Sequence, residues 1–297
     1  MQSPREPPVI DQNGASSVAP TGSKADLARS ATAGSPQKFG HDTVLLEVAD
    51  GIAGVWLNRP EALNACNMDM LHGIIDVFDV INDDSDIRVV VLRGRGRAFC
   101  VGADIKERQT MDFDAIRRRR RIAPLAFGAM RNSNKPVIAS VHGYALGGGL
   151  ELAINCDITL AAAGTSMGLI ETLRGSIPAG GGTQLLPRLV GVNRAKELIF
   201  TGRTFLAEQA ADWGLINHCY PVEELDEKVQ GLAEEIRAAA PISVTQAKQA
   251  IDMSLDLDLA NGIRAEAALY ERTMTSMDRA LGMGSVQRGS RPSFEGS

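Results

Sequence analysis

The sequence predicts an α/β fold that ends in a helical section. Between residues 43 and 221, short runs rich in β-branched residues alternate with helical patterns, which is typical of a largely parallel sheet covered by helices. From about Val222 onward the pattern is helical throughout. Of the 297 residues 44% are hydrophobic, so the chain can bury a large core.

The first predicted elements are a β-hairpin and a helix. Two apolar runs, residues 43–49 and 52–58, flank Asp50-Gly51, a pair that favours a two-residue hairpin turn. Asn67 is a suitable N-cap for the helix that follows. The apolar residues of that helix recur at the spacing of one face, and they are Leu71, Ile74, Ile75, Phe78 and Ile81.

Four further strands and several helices follow along the chain. Each strand is a short apolar run bounded by turn residues, as buried strands are. The predicted strands cover residues 87–94, 135–145, 157–163 and 215–221. The predicted helices cover a short segment from Leu150 and residues 112–130, 193–202, 207–214, 222–240, 243–255 and 259–279.

Composition and charge disfavour several classes of protein. No apolar run approaches the roughly 18 residues that suggest a membrane-spanning helix, so no membrane association is expected. The net charge of −5 disfavours a nucleic-acid partner. The four cysteines form no CxxC pair and have no zinc-like histidine spacing, so we expect reduced thiols, a cytoplasmic protein and no metal site.

Residues 1–40 differ in composition from the rest of the chain. They are rich in Pro, Ser, Gly and Ala and have few branched apolar residues, which predicts a disordered N-terminal tail. A targeting segment is the alternative, although Glu6, Asp11 and Asp26 are atypical of a mitochondrial transit peptide. We expect order to begin near His41 and the core to extend to residue 240.

Three consecutive glycines, residues 147–149, stand between a predicted strand and a predicted helix. Their backbone N–H groups have no side chains to shield them and lie at the positive end of the helix dipole, which suits a developing negative charge. Glu151 lies about one helical turn beyond Gly148, so oxygen binding and proton transfer could converge there. The alternative is that the glycines only allow close packing and that Glu151 is exposed.

Two other loops have a similar character. Glu171 lies in a predicted loop that continues through Pro178 to a second glycine run, residues 180–182. A third loop, residues 99–108, leaves the end of the strand at 87–94 and also consists largely of small residues at its start. Three flexible loops that leave strand ends and carry two carboxylates suggest a single site.

Two other motifs give weaker signals. Residues 164–168 match the G-x-S-x-G pattern around Ser166, but no clear helix follows, which disfavours a nucleophile elbow. The run Arg117–Arg121 is interpreted as a solvated helix face, with Ile116, Ile122 and Leu125 turned inward. The alternative for this run is a phosphate contact, either to a nucleotide-containing ligand or to RNA.

Taken together, these segments resemble the crotonase family, also called the enoyl-CoA hydratase/isomerase family. The matching segments occur in family order and are NRPEALNA (58–65), FCVGADIKE (99–107), residues 135–158, MGLIETLRGSIPAGGGTQ (167–184), AKELIFTGR (195–203) and residues 211–217. The motifs are most similar to the methylglutaconyl-CoA hydratase branch. The resemblance implies a crotonase-type spiral of ββα units. It also implies that the helical region 241–297 forms homotrimers or homohexamers.

The resemblance also implies an acyl-CoA substrate and a set of site residues. The backbone amides of Ala103 and Gly148 would form an oxyanion hole for the thioester oxygen. Glu151 would accept a proton from the attacking water, and Glu171 would give a proton to the α-carbon. The amide of Ala179, at a position where the family usually has glycine, would orient the water.

Further residues are expected to contact the substrate. By resemblance these are Ala62, Val101, Asp104 and Ile105, with Val101 replacing a usual alanine. Coenzyme A arrives as part of the substrate, so no separate cofactor is expected. Because both glutamates are present, the sequence predicts a hydratase; the alternatives are enoyl-CoA isomerisation and, from another class, a non-catalytic RNA-binding module.

Overall fold

The structure is a computed structural model, and it describes residues 36–288 and 292–297. Most of the tail predicted for residues 1–40 therefore lies outside the described residues. The strands are β1 Gln37–Phe39, β2 Val44–Ala49, β3 Ile52–Leu57, β4 Val89–Gly94, β5 Val137–Val141, β6 Tyr144–Leu146, β7 Ile158–Ala162, β8 Ser166–Gly168, β9 Phe205–Leu206 and β10 His218–Tyr220.

Helices connect these strands and form the C-terminal part of the chain. The helices are α1 Met68–Asp83, α2 Ile105–Thr110, α3 Phe113–Arg131, α4 Gly148–Ile154, α5 Gly182–Val190, α6 Val192–Thr201, α7 Ala207–Asp212, α8 Leu225–Arg237, α9 Pro241–Met253, α10 Leu259–Met274 and α11 Met277–Arg288. Short 3-10 turns cover Pro60–Ala62 and Glu171–Arg174.

The strands form two sheets. The larger sheet has the order β1-β2-β3-β4-β5-β7-β10, with antiparallel pairing from β1 to β3 and parallel pairing from β3 to β10. The smaller sheet has the order β6-β8-β9. The predicted α/β class with largely parallel strands is confirmed.

The first hairpin and helix form as their sequence predicts. At the β2–β3 turn, Asp50 and Gly51 have φ angles of 50° and 77°, the left-handed values that a type I′ hairpin turn needs at both positions. The Asn67 side chain accepts a hydrogen bond of 3.0 Å from the Met70 amide and so caps α1. The apolar face of α1 packs into the main core, in which Leu71 and Ile74 are fully buried.

Three predicted boundaries differ from the observed ones. Order begins at least as early as Gln37, before His41, because β1 pairs with β2 through the register Phe39↔Val44. The predicted strand 135–145 is two strands in different sheets, because Gly143 turns the chain with a φ of 64°. The predicted helix 259–279 is divided between α10 and α11.

Helix α3 presents a different face to the core from the one that its sequence predicts. Ile122 is half-buried and packs against the main core as predicted. Ile116 and Leu125 are 47% and 60% exposed, so the prediction that they turn inward is wrong. The buried apolar residues lie nearer the C-terminal end of the helix and are Ala126, Phe127 and Met130. The C-terminal end of α3 contacts the glycine-rich loops through Phe127, and this contact determines which face of the helix is buried.

Both faces of the larger sheet are covered. The main core fills one face, and a smaller cluster beneath α8 covers the other, with Val229 and Ala233 fully buried there. Helix α9 is attached to the core by Lys248, which donates to the Arg131 carbonyl over 3.1 Å and forms an ion pair with Asp157. Among the described residues, no helix is both long and apolar enough to cross a bilayer.

Two glycine substitutions test the packing of the fold. A Cβ atom at Gly149 in α4 would lie 2.0 Å from the Cys100 carbonyl oxygen, whereas one at Gly231 in α8 would meet nothing within 4 Å. We expect Gly149→Ala to lower the free energy of unfolding by about 3 kcal/mol or more through overpacking. Gly231→Ala should raise it by about 0.5–1 kcal/mol because alanine favours helix. Urea unfolding followed by circular dichroism measures both; equal stabilities would contradict the packing.

Candidate active site

Two of the glycine-containing loops are in direct contact. The Cys100 amide donates to the Tyr144 carbonyl over 3.0 Å, and the Leu146 amide donates to the Cys100 carbonyl over 3.0 Å. A Cβ atom at Gly102, which has a φ of +91°, would lie 2.7 Å from the Leu146 carbonyl oxygen and 3.0 Å from the Gly148 nitrogen. The structure thus brings the loop around Ala103 against the N-terminus of α4.

The amides of Ala103 and Gly148 are both available to a ligand. Cys66 pairs with Ala103 in a parallel bridge: its amide donates to the Gly102 carbonyl (2.7 Å) and its carbonyl accepts from the Asp104 amide (3.0 Å). Because the residues on either side of Ala103 make these bonds, the N–H of Ala103 points to the other side. Within residues 36–288 and 292–297, neither amide donates to another group of the chain.

Glu151 is a buried carboxylate held by backbone amides. It lies in the first turn of α4 and is 3% exposed. Its Oε1 atom accepts hydrogen bonds from the Gly180 and Gly182 amides at 2.6 and 2.8 Å. Burial raises the pKa of Glu151, while the amides of Gly182, Gly180 and Ala179 act in the opposite direction. The alternative interpretation, in which Glu151 is exposed, is wrong.

Glu171 lies beside the same glycines in a different environment. It begins the second 3-10 turn, and its Oε1 atom is 3.1 Å from the position that a Cβ atom would take at Gly147. Its Oε2 atom is buried and has no hydrogen-bond partner in the described part of the chain. Burial raises the pKa of Glu171 to about 7, and the negative charge of Glu151 adds to the increase.

Burial raises the pKa of both carboxyl groups, but their hydrogen bonding differs. Two amide donors stabilise the charged form of Glu151, whereas the buried oxygen of Glu171 has no such donor. Paired acids in contrasting environments can act as base and acid in one reaction. The free amide of Gly148 lies one turn before Glu151, so an oxygen bound there would be close to both groups.

The sequence did not identify three groups that support this arrangement. The amides of Gly180 and Gly182 bind Glu151. The glycine run could have indicated this contact, because a Cβ atom at Gly182 would lie only 3.0 Å from Glu151 Oε1. The ring of Phe127 in α3 lies between the loops, 3.2 Å and 2.8 Å from the Cβ positions of Gly148 and Gly180. No local pattern distinguishes Phe127 from other apolar residues of its helix.

Of the residues expected to contact coenzyme A, Val101, Asp104 and Ile105 flank Ala103 in the sequence, and Ala62 lies in the first 3-10 turn. Ala62 ends the first 3-10 turn, and the Val101 amide donates to the carbonyl of the next residue, Leu63, over 3.2 Å. Ile105 is 39% exposed at the start of α2. Asp104 is buried: its carboxylate caps α2 through the Glu107 amide and forms an ion pair with Arg59 at 2.8 Å.

Ala179 differs from its glycine neighbours in being exposed. Its amide acts to lower the pKa of Glu151, and its assignment as the group that orients water stays a prediction. Ser166 lies within β8, and the chain continues into the 3-10 turn rather than into a helix, so a nucleophile elbow does not form. In the part of the chain that the structure describes, no cluster of three or more His, Cys, Asp or Glu side chains could bind a metal ion.

Comparisons with known proteins give one consistent family. The family model described as enoyl-CoA hydratase/isomerase matches residues 47–297. The protein named enoyl-CoA hydratase domain-containing protein 2, mitochondrial, of Bos taurus is 40% identical over 257 residues, which is 83% of this chain and 85% of that protein. The crystal structure of an enoyl-CoA hydratase from Bacillus anthracis has a TM-score of 0.84 at 37% identity and covers 86% of this chain and 100% of its own.

The predicted branch is also among the relatives. The methylglutaconyl-CoA hydratase, mitochondrial, of Mus musculus is 35% identical over 251 residues, which is 83% of this chain and 80% of that protein. Its identity is lower than that of the Bos taurus protein. The likeness to the solved structure confirms the crotonase-type fold. The chain belongs to the enoyl-CoA hydratase/isomerase family.

Proposed function

We propose that the protein is an enoyl-CoA hydratase, a lyase that adds water reversibly across the 2,3 double bond of a trans-2-enoyl-CoA thioester. The observation that carries the proposal is the contrast between the two acids. Glu151 accepts two amide hydrogen bonds that favour its charged form, and Glu171 has a pKa of about 7. Addition of water moves two protons, so the reaction needs one group of each kind.

The two free amides supply the electrostatic part of the reaction. The thioester oxygen binds between the amides of Ala103 and Gly148, where negative charge accumulates as the enolate forms. Because these donors are fixed in the backbone, they need no reorganisation during the reaction. Bound in this way, the thioester withdraws electrons from the double bond, and the β-carbon becomes open to attack.

The two glutamates move the protons. Glu151 takes a proton from water while the oxygen of that water forms a bond to the β-carbon, and the Ala179 amide orients the water. The enolate then collapses, and its α-carbon takes a proton from Glu171. The dehydration reaction runs through the same steps in reverse, with Glu171 as the base and Glu151 as the acid.

The same proposal covers the substrate and the assembly. Coenzyme A is part of the substrate, so the reaction uses no other cofactor, and Ala62, Val101, Asp104 and Ile105 form the predicted contact region. The helices of residues 241–297 are proposed to join three or six copies. Retention of both acids favours hydration over isomerisation, for which a single proton-transferring group is sufficient.

Neutral variants of the acids test the hydratase. We expect Glu151→Gln and Glu171→Gln each to lower kcat for crotonyl-CoA hydration by about 10²–10⁴, the usual range for loss of a general acid or base. The KM should change little, because the amides that bind the thioester are retained. The measurement is the loss of absorbance of the conjugated thioester.

The exposed residue Glu61 provides the control for these variants. Glu61→Gln should keep the activity of the unmodified protein. Full activity in either active-site variant would exclude the two-acid mechanism. An increase in absorbance with a 3-enoyl-CoA, in the absence of hydration of crotonyl-CoA, would instead identify an isomerase.

The pH dependence of the reaction provides a separate test. Hydration requires protonated Glu171, whose pKa is about 7, so kcat/KM should fall about tenfold per pH unit well above that value. Dehydration starts from ionised Glu171 and protonated Glu151, which together hold the same number of protons. Because the equilibrium constant of hydration does not depend on pH, the kcat/KM of dehydration should fall in parallel. Initial rates in both directions between pH 5 and 9 measure this. A hydration rate that stays constant to pH 9 would contradict the assignment of Glu171.

A further inference from the structure

One of the five consecutive arginines is buried. Arg117, Arg118, Arg120 and Arg121 are exposed, as the interpretation of a solvated helix face predicts, but the side chain of Arg119 is 7% exposed. A cation removed from water is costly unless it is paired and hydrogen-bonded. The contacts of Arg119 therefore indicate why the chain has a cation at this position.

Arg119 connects α3 with two other segments. Its Nη2 atom donates to the Cys66 carbonyl over 3.0 Å, and its Nη1 atom donates to Glu107 Oε2 over 3.4 Å. The other carboxylate oxygen of Glu107 accepts a hydrogen bond of 2.9 Å from the Met68 amide. The guanidinium and its partner thus fix the backbone on both sides of residue 67.

The Cys66 backbone in turn fixes the loop around Ala103. Its amide donates to the Gly102 carbonyl, and its carbonyl accepts from Asp104 as well as from Arg119. The two hydrogen bonds that orient the backbone around Ala103 are therefore both made by Cys66, and Arg119 binds the carbonyl of that same residue. A displacement of the Cys66 carbonyl would be transmitted directly to the Ala103 amide.

We infer that Arg119 is a positioning residue for the Ala103 amide, holding that donor at the site of the thioester oxygen. The inference rests on the proposed function, because it assumes that a thioester binds there. A planar guanidinium can donate to the Cys66 carbonyl and to Glu107 at the same time from different nitrogens, whereas a lysine ammonium is a point charge on a flexible stem. The remaining arginines of the run have no part in this role.

Kinetics of Arg119→Met provide the first readout. We expect kcat for crotonyl-CoA hydration to fall about 10- to 100-fold, because a displacement of about 1 Å in a site can cost 10²-fold. The KM should stay within about threefold, since the other substrate contacts are retained and the Ala103 donor acts mainly on the charge that develops in the transition state. The neighbouring variant Arg118→Met is the matched control and should keep the unmodified kcat. An unchanged kcat in Arg119→Met, or a rise in KM that accounts for the loss, overturns the inference.

The carbonyl stretch of bound butyryl-CoA, labelled with ¹³C at the thioester, provides the second readout. Amide donors polarise this carbonyl and lower its infrared frequency. The shift should be smaller in Arg119→Met than in the unmodified protein and in Arg118→Met. A loss of kcat without a change in this shift means that Arg119 only stabilises the fold, and this outcome also overturns the inference.

These outcomes separate the two proposals. Butyryl-CoA is saturated and cannot add water, so its shift reports on Ala103 even if the protein does not hydrate crotonyl-CoA. A shift that depends on Arg119 in a protein without hydratase activity would refute the proposed function and support the positioning role. If Arg119→Met does not fold, Arg119→Lys is measured instead. A lower kcat together with a smaller infrared shift supports the inference. A kcat and an infrared shift equal to those of the unmodified protein overturn it.

Discussion

The interaction on which the site depends is the binding of a buried carboxylate by backbone amides. Glu151 lies between the buried residues Leu150 and Leu152, where an unpaired charge would be strongly unfavourable. The amides of Gly180 and Gly182 stabilise it, and they can approach only because a Cβ atom at Gly182 is absent. This hydrogen-bonded acid therefore joins the second glycine loop to α4.

The second acid follows from the first. The negative charge of Glu151 raises the pKa of Glu171 beyond the effect of burial, so ionisation of one group favours protonation of the other. Two carboxyl groups with the same intrinsic chemistry therefore lie in different environments, and separate base and acid roles require such a difference. The difference lies in the hydrogen bonds: Glu151 Oε1 accepts from two amides, whereas Glu171 Oε2 has no partner in the described part of the chain.

Local patterns predicted those parts of the molecule in which sequence neighbours determine the structure. The Asp50-Gly51 turn and the cap at Asn67 are examples, since each depends on residues within a few positions. The glycine runs also indicated the site, because close approach of backbones requires them. The division of residues 135–145 between two sheets was not predictable, because Gly143 turns against the Arg97 carbonyl, and that contact is set by the tertiary fold.

Helix α3 shows why the remaining part of the site was missed. Its sequence places Ile116 and Leu125 on a plausible inner face, yet both are exposed, because the helix turns Arg119 and Phe127 inward instead. Arg119 reaches the Cys66 backbone beside the Ala103 loop, and the Phe127 ring contacts the positions of Gly148 and Gly180. A single helix thus contacts the segments that carry the free amides of Ala103 and Gly148 and the amides that bind Glu151. Hydrophobic periodicity cannot identify such a face, because one of its defining residues is a cation and the contacts that bury it come from distant parts of the chain.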